Sequence, residues 1–188
     1  MKKSRVTEAM HAVDRRDFLP ADQQDSAAGD YPLPIGHGQT NSQPSTVAAM
    51  LDLLDVAEGM RVLDVGAGSG WTTALLAHLV GPDGSVLGVE IEPEIAEWGG
   101  ANVERVAGSW ASLRLAREDV LGWPEGAPYD RVLVSAGAKR MPQALVEQLG
   151  PDGVMVVVVS GTMLRVRRDG DAEPAVTEHG PYRFVPLR

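Results

Sequence analysis

Three glycines in alternate positions, Gly66, Gly68 and Gly70, follow the apolar run from Val62 to Val65. Such a turn lets a ligand lie against bare backbone at the carboxyl edge of a parallel sheet. The spacing is G-x-G-x-G, whereas a dinucleotide pyrophosphate needs G-x-G-x-x-G, so NAD is not the expected ligand. Taken alone, the turn also reads as a plain tight strand-to-helix connection. Glu90 gives it a purpose. It ends the run Val86–Glu90, 20 residues past Gly70, where an acidic side chain can accept hydrogen bonds from both hydroxyls of a ribose. The alternative is a solvated strand-end carboxylate. Asp119, just after Leu113–Ala116, can likewise accept from an adenine amino group or stand as a surface acid. Together these features point to an adenosine-containing ligand. Its expected wall comprises Asp64, Gly66, Ala67, Gly68, Ser69, Gly70, Glu90, Ile91, Asp119 and Val120.

The elements that must position this wall alternate strand and helix. Strands are expected at 61–65, 85–90, 113–116, 131–135 and 154–160, with helices at 71–80, 93–107 and 142–149. That rhythm predicts an α/β fold, a doubly wound and mainly parallel sheet with helices on both faces. The tail offers two more strands, 163–168 and 182–187, flanking the polar stretch 169–180, with the last pairing antiparallel. Ahead of the core, Val6, Ala9, Met10 and Val13 mark an amphipathic helix. Val47, Met50, Leu51 and Leu54 mark another, opened by Pro44 and Ser45. Between them, 20–44 has no periodicity and is far longer than an ordinary connection. That loop is expected to be partly mobile alone and to order over bound ligands. The organisation is a single domain: 1–44 helix and loop, 45–160 ligand-binding core, 161–188 closing strands.

Composition narrows the class. At 188 residues, 44% hydrophobic and 23% charged, the chain suits one folded globular unit. A net charge of −9 argues against broad contact with nucleic acid. With no cysteine there is no disulfide, thiolate metal site or thiol nucleophile, and no metal is expected. No apolar run has signal-peptide or membrane-spanning length, so the cytoplasm is the expected compartment and a membrane is not an expected partner.

Asp64–Gly70 resembles the first motif of class I S-adenosylmethionine methyltransferases, with Glu90 and Asp119 at the places of their second and third acidic residues. The loop is more specific. Pro32–Pro44 (PLPIGHGQTNSQP) resembles the PLPIGHGQTISQP signature of protein-L-isoaspartate methyltransferases at twelve of thirteen positions, with Asn41 in place of Ile. Val13-x-x-Arg16-x-Phe18-x-Pro20, Tyr129–Ser135 and Arg183–Leu187 also resemble segments of that family. The resemblance implies a Rossmann-like fold, S-adenosyl-L-methionine as cofactor, and the free carboxylate of an L-isoaspartyl residue in damaged proteins or peptides as acceptor. It implies Thr40 and Ser42 as catalytic residues and Ile35, His37, Gln43 and Pro44 as substrate-binding ones.

The chemistry of the loop suits that role. Gly36 and Gly38 permit close approach, while Thr40, Ser42 and Gln43 offer neutral donors that hold a carboxylate without the strong grip of an ammonium or guanidinium. Thr40 and Ser42 can instead cap the helix opening at Pro44. A carboxylate is already ionised at neutral pH, so His37 is expected to shape the loop rather than act as a base. Three departures bear on the acceptor. Ala28 stands where the family shows Tyr, Ser160-Gly161-Thr162-Met163 shortens one wall, and Arg117-Glu118-Asp119 replaces a Gly-Asp-Gly pattern. A different carboxylate or hydroxyl acceptor, or a non-catalytic S-adenosylmethionine-binding module, therefore stands as the alternative.

Overall fold

In the computed structural model, residues 4–170 and 172–188 are described; within the polar stretch 169–180, Asp171 lies outside them. A seven-stranded sheet forms the centre, built from β3 (Arg61–Val65), β4 (Ser85–Glu90), β5 (Ala111–Leu115), β6 (Tyr129–Ala138), β7 (Leu149–Val159), β8 (Thr162–Arg167) and β9 (Ala175–Pro181). A separate hairpin joins β1 (Leu33–Gly36) to β2 (Gln39–Asn41). The sheet order is β5-β4-β3-β6-β7-β8-β9, parallel from β5 to β7 and antiparallel beyond.

Continuous apolar runs make this possible, because a parallel strand is covered on both faces. Alternate residues divide between the faces. Val62, Leu133, Val154, Val156 and Val158 enter one apolar cluster. Leu63, Val65, Val132, Val134, Met155 and Val157 enter the other. The first face is covered by α1 (Arg5–Ala12), α2 (Pro44–Leu54) and α3 (Trp71–Val80). Residues of the short α5 (Gln143–Val146) cover the second. Nearly all of α3 is buried, as expected of a helix apolar all round. In α4 (Pro93–Val106) the inward stripe Ile95, Gly99, Asn102 and Val103 packs behind the glycine turn. There Gly70 (φ 90°) and Gly99 are required by space: a Cβ on Gly70 would lie 2.9 Å from the Gly99 carbonyl, and one on Gly99 2.5 Å from that of Gly68.

Three expectations are corrected. The long loop carries structure: a 3-10 turn at Ala21–Ser26, then the β1–β2 hairpin. The hairpin's inward residues Leu33 and Ile35 join Leu19 and Ile95 in a small apolar cluster. The helix expected at 142–149 shrinks to one turn because β7 begins at Leu149. In the tail, the strand is Ala175–Pro181 instead of 182–187. Segment 182–188 runs back over the sheet edge, where Gly137 N–H donates to Val185 O and Leu187 N–H to Gly137 O (2.7 and 2.9 Å).

Candidate active site

Strand order reverses between β3 and β6, and open α/β sheets bind ligands at the carboxyl edge of such a point. A cleft of about 680 Å³ lies there. Its floor is Val65, Gly66 and Gly68 after β3, Glu90 and Ile91 after β4, and Ser135 and Ala136 of β6. Ala116, Arg117, Val120, Leu121 and Gly122 close one side, and Val185–Arg188 another.

Glu90 is buried and firmly held. Its Oε2 accepts from Gly68 N–H (2.9 Å), and its Oε1 accepts from Ile91 and Glu92 N–H (2.8 and 3.0 Å). Three backbone donors fix the carboxylate beside the cleft and leave lone pairs over for a ligand. Asp64 is wholly buried beneath the turn. Its Oδ2 accepts from the hydroxyls of Thr72 (2.6 Å) and Thr73 (2.7 Å), while Oδ1 has no partner among the described residues. Burial pushes its pKa up to about 6; the two hydroxyls oppose that, and the nearby Glu90 charge adds to it. A buried carboxylate with an unpartnered oxygen, and a second acid that lines the cleft, suit a ligand that carries positive charge. S-adenosylmethionine, with an ammonium and a sulfonium, meets that description.

A second, smaller pocket joins the hairpin to the glycine turn. Thr40, Asn41, Ser42, Gly66, Ala67, Gly68, Ser69, Trp71, Thr72 and Ser135 surround its roughly 310 Å³. Beyond it opens a groove of about 1590 Å³ lined by Pro32, Thr40, Ser42, Gln43, Ser45, Thr46, Ser135 and the 181–185 segment. Thr40 and Ser135 border all three spaces.

The hairpin is held by one guanidinium. Arg15 is buried and stacks over Trp71 at 5.5 Å. It donates to Asn41 Oδ1 (2.7 Å) and to the carbonyls of Gly29, Tyr31 and Ser42 (2.9–3.0 Å). Longer bonds reach the carbonyls of Ala27 and Asn41 (3.3 and 3.2 Å). The neighbouring Arg16, singled out from the sequence, is exposed. Asp30 occupies the amino-terminal end of α2, accepting from Ser45 N–H (2.8 Å) and from Gln43 Nε2 (3.1 Å); these bonds hold its pKa below the usual carboxylate value. Neither Thr40 nor Ser42 caps that helix, so both hydroxyls are left for the pockets they border.

The other expected residues fall as follows. Ile35 is buried, its Cδ1 facing Gly68, and does not line the groove. His37, at the hairpin tip with φ 51° between Gly36 and Gly38 (φ 93° and 71°), bonds to Glu94 Oε2 at 2.9 Å, away from the pockets. Pro44 is the first residue of α2. Ile91 and Val120 line the cleft, whereas Asp119 is exposed and does not. Ser135, Gln39, Arg15 and Val185–Arg188 were missed. Ser135 was within reach of the logic that found Gly66, since it follows the apolar run Val132–Val134 at the end of the pairing with β3. No sequence signal separated Arg15 from Arg16.

This fold and site define a class I S-adenosylmethionine-dependent methyltransferase. The sequence matches the family described as protein-L-isoaspartate(D-aspartate) O-methyltransferase over residues 1–188. Curated proteins named protein-L-isoaspartate O-methyltransferase are similar to it along their length. That of Methanopyrus kandleri is 44% identical across 100% of this chain and 84% of its own, and that of Methanothrix thermoacetophila 50% identical across 97% and 87%. A solved protein-L-isoaspartate O-methyltransferase superposes with a TM-score of 0.88 at 26% identity, over 99% of this chain and 62% of the longer solved one. A Plasmodium falciparum chain in complex with S-adenosyl-L-homocysteine shares the fold at TM-score 0.82 and 21% identity, over 100% and 92%. The chain belongs to the protein-L-isoaspartate O-methyltransferase family.

Proposed function

We propose that the chain transfers a methyl group from S-adenosylmethionine to the free α-carboxylate of an L-isoaspartyl residue, the opening step in repair of damaged Asp and Asn. The observation that carries this reading is the shared border: Thr40 and Ser135 face the cofactor cleft, the small pocket and the open groove at once. When bound, the cofactor supplies an electrophilic methyl on a sulfonium. Glu90 and the Gly66–Gly70 turn hold the adenosine and methionine portions, with Ile91 and Val120 as apolar walls. The unpaired Asp64 oxygen offsets the ligand's positive charge.

The protein's task on the acceptor is alignment. Thr40 and Ser42 donate to the carboxylate, and Gln43, held by Asp30, marks the groove wall. An ionised acceptor needs no proton removed, which agrees with a pocket that has neutral hydroxyls and with a His37 turned toward Glu94. Tyr182 and Phe184 line the groove, so flanking residues of a peptide or of a damaged protein can lie along them. Among the described residues no helix is long and apolar enough to cross a membrane. Protein or peptide acceptors in the cytoplasm, and neither nucleic acid nor lipid, complete the reading. The test is labelled methyl transfer to an isoaspartyl peptide beside its normal aspartyl isomer. Equal labelling of the two, or none of either, overturns it.

A further inference from the structure

Asn41 stands where the signature resembled by this loop has Ile, and the structure gives its amide a specific task. The side chain is 5% exposed. Its Oδ1 accepts from Arg15 Nε at 2.7 Å, and its Nδ2 donates to Ser69 Oγ at 3.2 Å. Ser69 belongs to the glycine turn under the cofactor cleft, and its carbonyl is held by Asn102 of α4 (3.1 Å). Among the described residues, Asn41–Ser69 is the one hydrogen bond joining the β1–β2 hairpin to that turn. The other direct link is apolar, Ile35 against Gly68. An isoleucine at 41 has no group to make either bond and would leave the Arg15 Nε–H buried without its acceptor.

We propose that Asn41 is a positioning residue that couples the cofactor turn to the acceptor hairpin, keeping Thr40 and Ser42 in register with the bound cofactor through Ser69. The chain Arg15–Asn41–Ser69–Asn102 is continuous, buried and polar, and such a network fixes geometry because every member has a partner to lose. Its effect belongs in turnover more than in cofactor affinity, since Asn41 does not line the larger cleft. The consequence for activity rests on the methyl-transfer reading above; the coupling itself does not.

The experiment compares the unmodified chain with Asn41→Ile, Ser69→Ala, the double variant and Asn41→Asp. Asn41→Ile and Ser69→Ala are each expected to lower kcat on an isoaspartyl peptide by roughly fivefold to tenfold, the scale of one lost buried hydrogen bond. Affinity for S-adenosylhomocysteine should stay within about twofold in Asn41→Ile. The double variant should be no slower than the slower single one, because both remove the same bond. Asn41→Asp should recover most of the rate, since a carboxylate still accepts from Arg15 and can accept from the Ser69 hydroxyl. The second readout is hydrogen exchange at the amides of Leu33 and Ile35. S-adenosylhomocysteine should slow it by about tenfold in the unmodified chain and in Asn41→Asp, and much less in Asn41→Ile and Ser69→Ala. Unchanged kcat in Asn41→Ile, multiplying effects in the double variant, or an Asn41→Asp as slow as Asn41→Ile overturns the proposal. Should the unmodified chain leave isoaspartyl peptides unmethylated, the acceptor reading fails and the exchange experiment still decides the coupling. Should Asn41→Ile fail to fold, Ser69→Ala and Asn41→Asp decide it.

Discussion

Asp64→Asn tests the electrostatics under the glycine turn. The folded chain holds this carboxyl at a pKa of about 6 against an ordinary 3.8, chiefly through burial. The folded form therefore binds the proton more tightly than the unfolded one. Stability linked to Asp64 is complete below about pH 4 and is lost as pH rises toward 6. Over roughly two pH units the loss amounts to about 3 kcal/mol, an order-of-magnitude figure. Urea unfolding of the ligand-free chain and of Asp64→Asn between pH 4 and 7 should give curves that diverge upward in pH, with the variant gaining relative to the parent. The offset at any single pH mixes in the hydrogen bonds to Thr72 and Thr73, so the slope is the diagnostic. If the positive charge of bound S-adenosylhomocysteine is felt at the buried carboxyl, binding releases part of a proton at pH 6. Calorimetry in buffers of different ionisation enthalpy measures that release. Parallel pH–stability curves for the two proteins, together with no buffer dependence of the binding heat, would refute the argument.

Other expected outcomes are simpler. Glu90→Ala should weaken S-adenosylhomocysteine binding about tenfold to a hundredfold, because charge-assisted bonds of roughly 1.5–3 kcal/mol are lost; unchanged affinity in a folded variant removes Glu90 from the site. Ser42→Ala should slow methyl transfer about tenfold to a thousandfold without abolishing it, mainly in kcat if the hydroxyl aligns the carboxylate in the transition state. His37→Gln should keep most activity between about pH 6 and 8, since the side chain bonds to Glu94 and not to the pockets. A folded, cofactor-binding His37→Gln with no activity would instead mean an acceptor whose proton must be removed.

The sheet was legible because its physics is local. A parallel strand buried on both faces must read as an apolar run, and 61–65, 131–134 and 154–158 do. Of the expected wall, Gly66, Gly68, Glu90, Ile91 and Val120 line the cleft, while Asp64, Ala67, Ser69, Gly70 and Asp119 do not. The tail was not legible. β9 is exposed along almost its whole length, so it shows none of the alternation that marks a half-buried strand. Val185 and Leu187 are spaced like strand residues because they line the cleft instead. The hairpin hid for a different reason: its order comes from Arg15, a residue far away in sequence whose carbonyl partners leave no trace in side-chain pattern. Asp119 shows the limit of carrying over a position by resemblance, for a solvent-facing side chain next to the cleft-lining Val120 has the same letter as one inside the cleft.

Strand β9 ends the sheet, and among the described residues no strand pairs with its outer edge. An open edge is a template for any extended chain that drifts past. Here it carries Glu178 and finishes at Pro181, which has no N–H to offer. Under the proposed function the acceptors are damaged polypeptides, and some of these bring exposed backbone with them. A charged edge that ends in proline gives such chains a poor template for adding themselves to the sheet.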